Sequence, residues 1–561
     1  MHYIKEVLKK NRIWILAYVG LGIFNSFMAN YKADYFQKVI DGLADRTLAV
    51  SGIAIYGGIL VVNYCMNYLE QYPEKKLEHG IYLDFKLLSL QKISTIDYTE
   101  YQKIGTGKLV QRIENGSSAG RNVLFDFWLC LIRELIPTIA FSVYFIWKID
   151  KKITYALLVG YAVIFIITNI LLKFLYQIKE KILNSEELFN HYLVRGFMEM
   201  LVFRMNKQFP NEIKKTHKAK EDIVTSKVKM NMIHEAFFTI FALLVALLDV
   251  GILIYAWKSK NLTVGSVVAL ITLIENAYTP IAIFNVLYVQ YKLDKETYVR
   301  FEEFLNVKDD EQLTKGNVIH DGIGEITIKN LSFQYEDRLI LDNLCLSIQK
   351  GEKIAFVGAS GSGKSTLIKI LLGLLKYNKG HIRLGEMELS DICLNDLYDK
   401  VSYISQDAPV FDGTIQENLV FEKKVSKEQM LKALSEVQLS YLAGNLKEGF
   451  NTEIGEKGTC LSGGEKQRLA LARLWFQDAE LVILDEATSA MDNLTEENVM
   501  KSIMSKLKDK TVIAIAHRLN SISGFDRIIL FREGKIVGQG TFEELLRTDS
   551  YFMDLYNANV K

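Results

Sequence analysis

The sequence predicts a multi-domain membrane protein in which a six-helix all-α transmembrane domain precedes an α/β P-loop domain. Its 561 residues exceed the size at which one core stops growing, roughly 250–300 residues, so at least two folding units are expected. The first half contains six long apolar stretches, and the second contains a Gly-rich loop between a strand pattern and a helix pattern. A mean hydropathy of +0.10 beside 24% charged residues fits an average over an apolar half and a polar half.

Net charge and cysteine spacing exclude several other classes of protein. The formal net charge of +1 is too small for a broadly basic nucleic-acid binder, so no nucleic-acid partner is expected. The five cysteines lie far apart, without a CxxC pair or a Cys/His pairing at zinc spacing. Neither a disulfide framework nor a metal scaffold is therefore expected.

Each apolar stretch is close to or above the ~20 residues that a helix needs to cross hydrocarbon. Buried helices of a soluble core are the alternative, but such helices rarely run this long with so little polar face. A signal peptide is the alternative for the first stretch, and no small-residue cleavage site follows it. The predicted spans are at about 13–29, 50–69, 127–147, 153–172, 236–257 and 262–291.

Lys and Arg in the connections predict the orientation of these spans. The N-terminus and the two long connections, Glu70–Asp126 and Lys173–Glu235, are rich in both residues and should be cytoplasmic. Their helical patterns and few turn breakers predict cytoplasmic hairpins. The short Lys148–Lys152 turn places positive charge outside, a mild departure from the rule.

A charged, poorly periodic segment follows the sixth span. We interpret residues 294–321 as a linker. It separates a transmembrane domain at 1–293 from a second domain at 322–561.

The second domain begins with the pattern of a phosphate-binding loop. Lys353–Val357 reads as a strand and Leu367–Leu375 as a helix, and Gly358–Thr366 (GASGSGKST) lies between them. Small residues let backbone N–H groups wrap phosphates, and the helix N-terminus adds positive potential. Lys364 is expected to reach the β/γ-phosphates and Ser365 to ligate Mg²⁺. The predicted nucleotide contacts in this loop are Gly358, Ser360, Gly361, Gly363, Lys364, Ser365 and Thr366.

A second buried strand pattern, Leu481–Leu484, ends in two carboxylates. Asp485 fits a role toward Mg²⁺, and Glu486 fits polarisation of the attacking water. An apolar strand followed by two acids is more often structural when it stands alone. The P-loop upstream makes the functional interpretation the better one.

Between these motifs, Leu461–Arg468 (LSGGEKQR) opens a further helical run. This sequence resembles the signature of the ATP-binding cassette (ABC) superfamily. Together with the six preceding spans, the chain resembles an exporter-type half-transporter of the type IV fold, with an α/β P-loop ABC ATPase domain. One departure is Glu465, which stands where exporters often carry Gln.

The resemblance implies roles for further residues at matching positions. Tyr335 matches the adenine-stacking aromatic, Gln406 the glutamine that touches Mg²⁺, and His517 the switch histidine at the γ-phosphate. Thr452–Gly458 resembles an exporter-specific loop. The remaining nucleotide contacts that the resemblance implies are Ser462, Gly463 and Gly464 of the signature and Asp492 of the Ser489–Asp492 loop.

The implied function is ATP hydrolysis coupled to transmembrane transport, with ATP and Mg²⁺ as cofactors. We expect export of a hydrophobic or amphipathic substrate, such as a lipid, a drug-like compound or a peptide, by alternating access. An importer on the exporter fold, as in siderophore uptake, and a non-transporting regulatory membrane ATPase remain alternatives.

The family closes each nucleotide site with the partner's signature, so a dimer is implied. The partner is a second copy, or a related half-transporter in a heterodimer. Coupling segments are expected near Tyr98–Gln111 and Val194–Arg204. The expected location is the bacterial plasma membrane, with the N-terminus and the ATPase domain in the cytoplasm.

Ionisable residues inside membrane spans are costly, so they usually line a cavity or pair with each other. Two interpretations stay open for these side chains: lining of the substrate pathway, and an interhelical Arg–Glu pair that serves packing. Aromatic residues of the spans, among them Tyr161 and Tyr278, suit cargo and lipid contact equally. The ionisable candidates are Arg133, Glu134, Asp249 and Glu275.

Overall fold

A computed structural model describes residues 2–259, 262–444, 448–455, 460–516 and 518–560. The chain divides into two compact units, 1–94 with 104–307 and 95–103 with 308–561. The short segment 95–103 belongs to the second unit because it pairs with the chain near Asp309. There the Asp97 N–H donates to the Lys308 carbonyl at 3.1 Å, and the Asp310 N–H donates to the Thr95 carbonyl at 2.7 Å.

The first unit is built from helices. Two π-helical segments, Asn122–Leu129 and Leu131–Leu135, lie between the fourth and fifth of its helices. The helices are His2–Lys10, Arg12–Ala44, Val50–Thr95, Thr106–Arg121, Ile136–Ile149, Lys151–Met198, Met200–Met205, Phe209–Ser259 and Val264–Leu305.

Within the described residues, five helical stretches are long and apolar enough to cross a membrane. The predicted fourth span, 153–172, lies inside helix Lys151–Met198. The five stretches are Arg12–Ala44, Val50–Thr95, Lys108–Ile149, Phe209–Lys258 and Val264–Leu305.

Several of these helices are much longer than a bilayer is thick. Helix Val50–Thr95 has 46 residues and helix Phe209–Ser259 has 51. At ~1.5 Å per residue each exceeds a ~30 Å hydrocarbon core about twofold. The helices therefore continue far beyond their apolar stretches, as the few turn breakers in the connections predicted.

A ladder of polar pairs joins helix Arg12–Ala44 to helix Ile136–Ile149. Ser26, Asn30 and Asp34 are spaced four apart, so they share one helix face. Lys148, part of the turn that departs from the charge rule, is thereby paired with a buried carboxylate. The pairs are Thr138–Ser26 at 3.0 Å, Ser142–Asn30 at 2.7 Å and Lys148–Asp34 at 2.9 Å.

Helix Val264–Leu305 extends through the first part of the predicted linker. The predicted start of the linker, residue 294, was therefore wrong. Tyr298, Phe301 and Phe304 recur every three residues and are buried, so this part of the chain forms one packed face of the helix. A Cβ on Gly116 would lie 2.3 Å from the Phe301 ring, so a glycine permits this close packing. The division between the two units falls at 307/308.

The described part of the second unit contains two sheets. Their strands are β1 Ile326–Tyr335, β2 Arg338–Ile348, β3 Lys353–Gly358, β4 Lys379–Leu384, β5 Met387–Glu388, β6 Val401–Ile404, β7 Leu481–Asp485, β8 Thr511–Ile515, β9 Arg527–Arg532 and β10 Lys535–Gly540. A four-stranded antiparallel sheet has the order β2-β1-β4-β5, and a six-stranded sheet has the order β10-β9-β3-β8-β7-β6.

Helices accompany these sheets along the chain. They are Lys364–Leu371, Leu394–Lys400, Ile415–Val420, Lys427–Glu436, Ser440–Gly444, Gly463–Ala472, Asn493–Lys506, Phe542–Thr548 and Ser550–Val560.

Strand composition explains the six-stranded sheet. All five residues of β7 and of β8 are buried, as expected for parallel strands with both faces covered. β8 pairs with β3 on one side and β7 on the other, all parallel. The carboxyl ends of these strands meet at one edge of the sheet, where α/β proteins bind ligands. The P-loop after β3 and the acids that end β7 are thus brought to the same edge.

Candidate functional site

The loop from Gly358 to Gly363 connects β3 to helix Lys364–Leu371. Gly358, Gly361 and Gly363 have φ angles of +153°, +80° and +103°, a region that favours glycine. A Cβ on Gly358 would lie 2.1 Å from the Phe531 carbonyl oxygen. The loop therefore requires glycine at Gly358 for steric as well as conformational reasons.

The ammonium group of Lys364 lies inside this loop. Its Nζ donates to the carbonyl oxygens of Gly358 at 2.7 Å and Ala359 at 3.0 Å. Burial lowers the pKa of Lys364, although Glu486 and Asp485 nearby act in the opposite direction. The buried side chain is thus held by two backbone carbonyls of the loop.

Asp485 lies at the end of β7, beside the P-loop. Ser365 Oγ is 3.4 Å from Asp485 Oδ1, and the Tyr403 hydroxyl donates to Asp485 Oδ2 at 3.2 Å. Burial raises the pKa of Asp485, and the hydrogen bond from Tyr403 opposes that shift. Tyr403 was missed in the sequence. The available signal was the position of Tyr403 near the end of a strand. That strand, β6, pairs in parallel with β7, so Tyr403 and Asp485 lie at the same edge of the sheet.

Glu486 adopts an uncommon backbone conformation next to Asp485. Its φ is +51°, in the left-handed region that costs a non-glycine residue about 1 kcal/mol or more. Gln406 Nε2 donates to Glu486 Oε2 at 2.7 Å. The structure thus brings Gln406 and both predicted acids together.

Ser462 is the N-cap of helix Gly463–Ala472. Its side-chain oxygen accepts from the Glu465 N–H, and Glu465 accepts from the Ser462 N–H, so the two form a capping box. A Cβ on Gly464 would lie 2.9 Å from the Ala490 carbonyl oxygen. The start of this helix therefore packs closely against the Ser489–Asp492 loop.

Gln467 links the Ser489–Asp492 loop to helix Gly463–Ala472 by hydrogen bonds. Its Nε2 donates to Ser489 Oγ at 2.9 Å, and its Oε1 accepts from the Ala490 N–H at 2.8 Å. Gln467 is buried, and sequence reasoning gave it no role. The available signal was a polar side chain on the same helix as the apolar Leu469, Ala470 and Leu471, all of which are buried. A buried polar side chain in such a place needs hydrogen-bond partners.

Of the other predicted residues of this unit, Tyr335 and Asp492 are described by the structure. Tyr335 ends β1 and meets Phe333 edge to face at 4.9 Å. Asp492 caps helix Asn493–Lys506 by accepting from the Thr495 N–H at 2.9 Å. His517 lies outside the described residues, as do residues 456–458 of the Thr452–Gly458 loop.

The donor set at this edge fits magnesium-bound nucleotide. A hydroxyl, a carboxylate and a side-chain amide oxygen are the hard oxygen ligands that Mg²⁺ prefers. Backbone N–H groups at a helix N-terminus, with Lys364 among them, suit phosphate oxygens. Residues 341–489, which include the P-loop, Gln406, the Leu461–Arg468 motif and the acids Asp485 and Glu486, match the family model described as ABC transporter.

A solved structure shares the fold of the whole chain. It is described as a bacterial Atm1-family ABC exporter with ATP bound, and it aligns with a TM-score of 0.81 over 99% of each chain at 21% identity. This chain has the fold of an exporter-type ABC half-transporter. Its helical unit and its α/β unit both belong to that fold.

Sequence relatives of this chain fall into two groups by coverage. A mitochondrial iron-sulfur clusters transporter, atm1 of Aspergillus fumigatus, is 36% identical over 53% of this chain, and the match spans 42% of that protein. An ATP-dependent lipid A-core flippase of Hahella chejuensis is 26% identical over 99% of this chain and 96% of its own length. Similarity over the full length is therefore moderate.

Arg133 of the helical unit takes part in an interhelical pair. Its guanidinium binds the buried Glu70 carboxylate, donates to the Tyr18 hydroxyl at 3.0 Å and lies 3.3 Å from Glu134. A Cβ on Gly22 would lie 2.0 Å from the Arg133 side chain, so glycine makes room for it. For Arg133 the structure favours the pairing interpretation, since Glu70 lies on another helix.

Asp249 lies on helix Phe209–Ser259 and Glu275 on helix Val264–Leu305. Asp249 Oδ1 is buried without a hydrogen-bond partner among the described residues, and Glu275 is exposed. Two predicted aromatic candidates serve packing instead. The Tyr278 hydroxyl donates to the Leu157 carbonyl at 3.2 Å, and the Tyr161 hydroxyl donates to the Ala277 carbonyl at 3.1 Å.

Proposed function

We propose that this half-transporter uses ATP hydrolysis to export a hydrophobic or amphipathic substrate across a membrane by alternating access. The observation that carries the proposal is the joining of two units in one chain. One unit has five described helical stretches apolar enough to cross a bilayer. The other holds Lys364, Asp485 and Glu486 at one sheet edge, with the bonds described above.

In this proposal each site residue has a distinct task. The P-loop N–H groups and Lys364 bind the phosphates, and Ser365 and Asp485 hold Mg²⁺. Mg²⁺–ATP, when bound, would supply the free energy released by hydrolysis of its terminal phosphate. Glu486 orients the attacking water, and Gln406, which donates to Glu486, contributes its amide oxygen to Mg²⁺.

A second copy is the partner in this proposal. Two helices, Lys151–Met198 and Phe209–Ser259, flank the short helix Met200–Met205, and the apolar side chains of this tip are exposed. Clustered exposed apolar residues are typical of interaction surfaces, which supports docking of the tip on another chain. These residues are Phe197, Met198, Leu201, Val202 and Met205.

The substrate class rests on the relatives and on the helical unit. One full-length relative is named as a lipid A-core flippase, and the structural relative is named as an exporter. Glu134, Asp249 and Glu275 are our candidates for contact with the polar part of the cargo. We propose the bacterial plasma membrane as the location, with the N-terminus and the ATPase unit in the cytoplasm.

The function is tested by removing the Glu486 carboxylate. In liposomes, Glu486→Gln should lower ATP turnover at least about 100-fold, because the water loses its base, while ATP binding persists. Glu497→Gln is the matched control, since Glu497 pairs only with Lys501 on an exposed helix face among the described residues. Turnover near the unmodified level in Glu486→Gln would contradict the catalytic assignment.

A further inference from the structure

Glu465, the glutamate of the signature motif, accepts a hydrogen bond from the Ser462 hydroxyl. Ser462 Oγ lies 2.7 Å from Glu465 Oε2, and the Ser462 N–H donates to the same oxygen at 2.7 Å. An ionised carboxylate has no proton to give, so the hydroxyl is the donor. The one proton of the Ser462 hydroxyl is therefore committed to Glu465.

Neighbouring groups keep the Glu465 carboxylate ionised. Burial alone would raise the pKa of Glu465, but hydrogen bonds from the Tyr441 hydroxyl and from Ser462 outweigh burial and lower it. The charge lies in the first turn of helix Gly463–Ala472. There it offsets the positive potential with which a helix N-terminus attracts anions.

This arrangement opposes the contact expected of the signature. In the proposed dimer, the Ser462 hydroxyl meets the γ-phosphate of nucleotide held by the other copy. The hydroxyl must then donate to phosphate rather than to Glu465, and a phosphate must approach a carboxylate. Both requirements cost free energy, since a charge-assisted hydrogen bond is lost and like charges approach.

We propose that Glu465 is a positioning residue that restrains ATP-driven closure by holding the Ser462 hydroxyl away from the γ-phosphate. This inference rests on the proposed function, since it requires two copies to close on nucleotide. It concerns the one position of the signature at which this chain departs from the Gln that exporters often carry.

A second capping box in the same chain has Gln at the corresponding place, the third residue of helix Lys427–Glu436. The Ser426 N–H donates to Gln429 Oε1 at 3.1 Å, and the Gln429 N–H donates to Ser426 Oγ at 3.3 Å. Gln therefore supports the same cap in this protein. At position 465 its NH₂ group is able to donate to Ser462 Oγ, which leaves the hydroxyl proton available for phosphate.

The test compares Glu465→Gln with Glu544→Gln in the full-length protein in liposomes. Glu544 closes the same kind of capping box with Thr541, on a different helix. We expect the KM for ATP to fall at least about tenfold in Glu465→Gln, as for one regained charge-assisted hydrogen bond, with little change in kcat. Glu544→Gln should leave the KM unchanged.

A second measurement separates nucleotide binding from turnover. In the Glu486→Gln background, the ATP concentration that gives half-maximal protection from trypsin should fall by a similar factor when Glu465→Gln is added. An unchanged or higher ATP requirement in both assays would overturn the restraint. If the unmodified chain showed neither ATP turnover nor ATP-dependent protection, the proposed function would fail, and the restraint with it.

Discussion

At the scale of single residues, the candidate nucleotide site places costly groups side by side. Asp485 and Lys364 are both buried, and Glu486 has a left-handed backbone. Motif spacing in the sequence singles out all three as candidates for nucleotide binding and hydrolysis. It did not predict Tyr403, whose contact with Asp485 arises from strand pairing between distant segments.

Burial of Asp485 predicts a conflict between stability and function. Because burial raises its pKa in the folded protein, its contribution favours folding at low pH and is lost as the pH rises through the folded pKa. At neutral pH and without Mg²⁺, Asp485→Asn should therefore raise the Tm of the ATPase unit by about 2 °C while abolishing turnover. Calorimetry in EDTA and an ATPase assay measure the two effects.

Asp492 is a control with a pKa shift in the opposite direction to that of Asp485. Its pKa is lowered mainly by the hydrogen bond from the Thr495 N–H, so its contribution to stability is present at neutral pH and lost as the pH falls. Asp492→Ala should lower the Tm at pH 7. A lower Tm in Asp485→Asn would show that its ionised form is stabilising.

At the scale of elements, the long helices depend on a few buried polar pairs. Near the exposed tip helix Met200–Met205, the Arg195 guanidinium binds both oxygens of the buried Glu212, at 2.7 and 2.5 Å. Residues on either side of the tip are thereby joined. Bidentate pairs of this kind are stronger and more specific in geometry than single contacts.

Breaking this pair should loosen the tip. Arg195→Gln leaves Glu212 buried without its cation, so we expect trypsin to cleave near residues 199–208 at least about threefold faster. Lys227→Gln is the control, because Lys227 and Glu186 form an exposed pair on the same two helices at 2.7 Å. Exposed pairs contribute little, so this variant should be cleaved at the original rate. Equal cleavage of both variants would contradict a special role for Arg195.

At the scale of the whole molecule, the charge pattern of the chain predicts one orientation for the proposed exporter. Basic residues in the two long connections predict that both face the cytoplasm with the ATPase unit. The pairing of Lys148 with Asp34 removes the one mild conflict with that rule.

Inside-out vesicles test orientation and direction together. Added ATP should drive accumulation of a fluorescent phospholipid analogue in the vesicle lumen or inner-facing leaflet, and Glu486→Gln should abolish it. Trypsin added outside should cleave residues 173–235 in these vesicles. Protection of that segment would contradict the orientation, and ATP-dependent loss of the analogue would indicate import.

The sequence by itself determined the helical and α/β halves, the glycine-rich loop after β3 and the place of two acids at the end of β7. These features depend on local spacing and on apolar runs, which a linear pattern records. Only the tertiary structure decided that Arg133 pairs with Glu70, that segment 95–103 belongs to the second unit, and that helix Val264–Leu305 continues past residue 293. Each depends on which distant segment covers a charge or an apolar face, and contacts between distant segments leave no periodic signal in the chain.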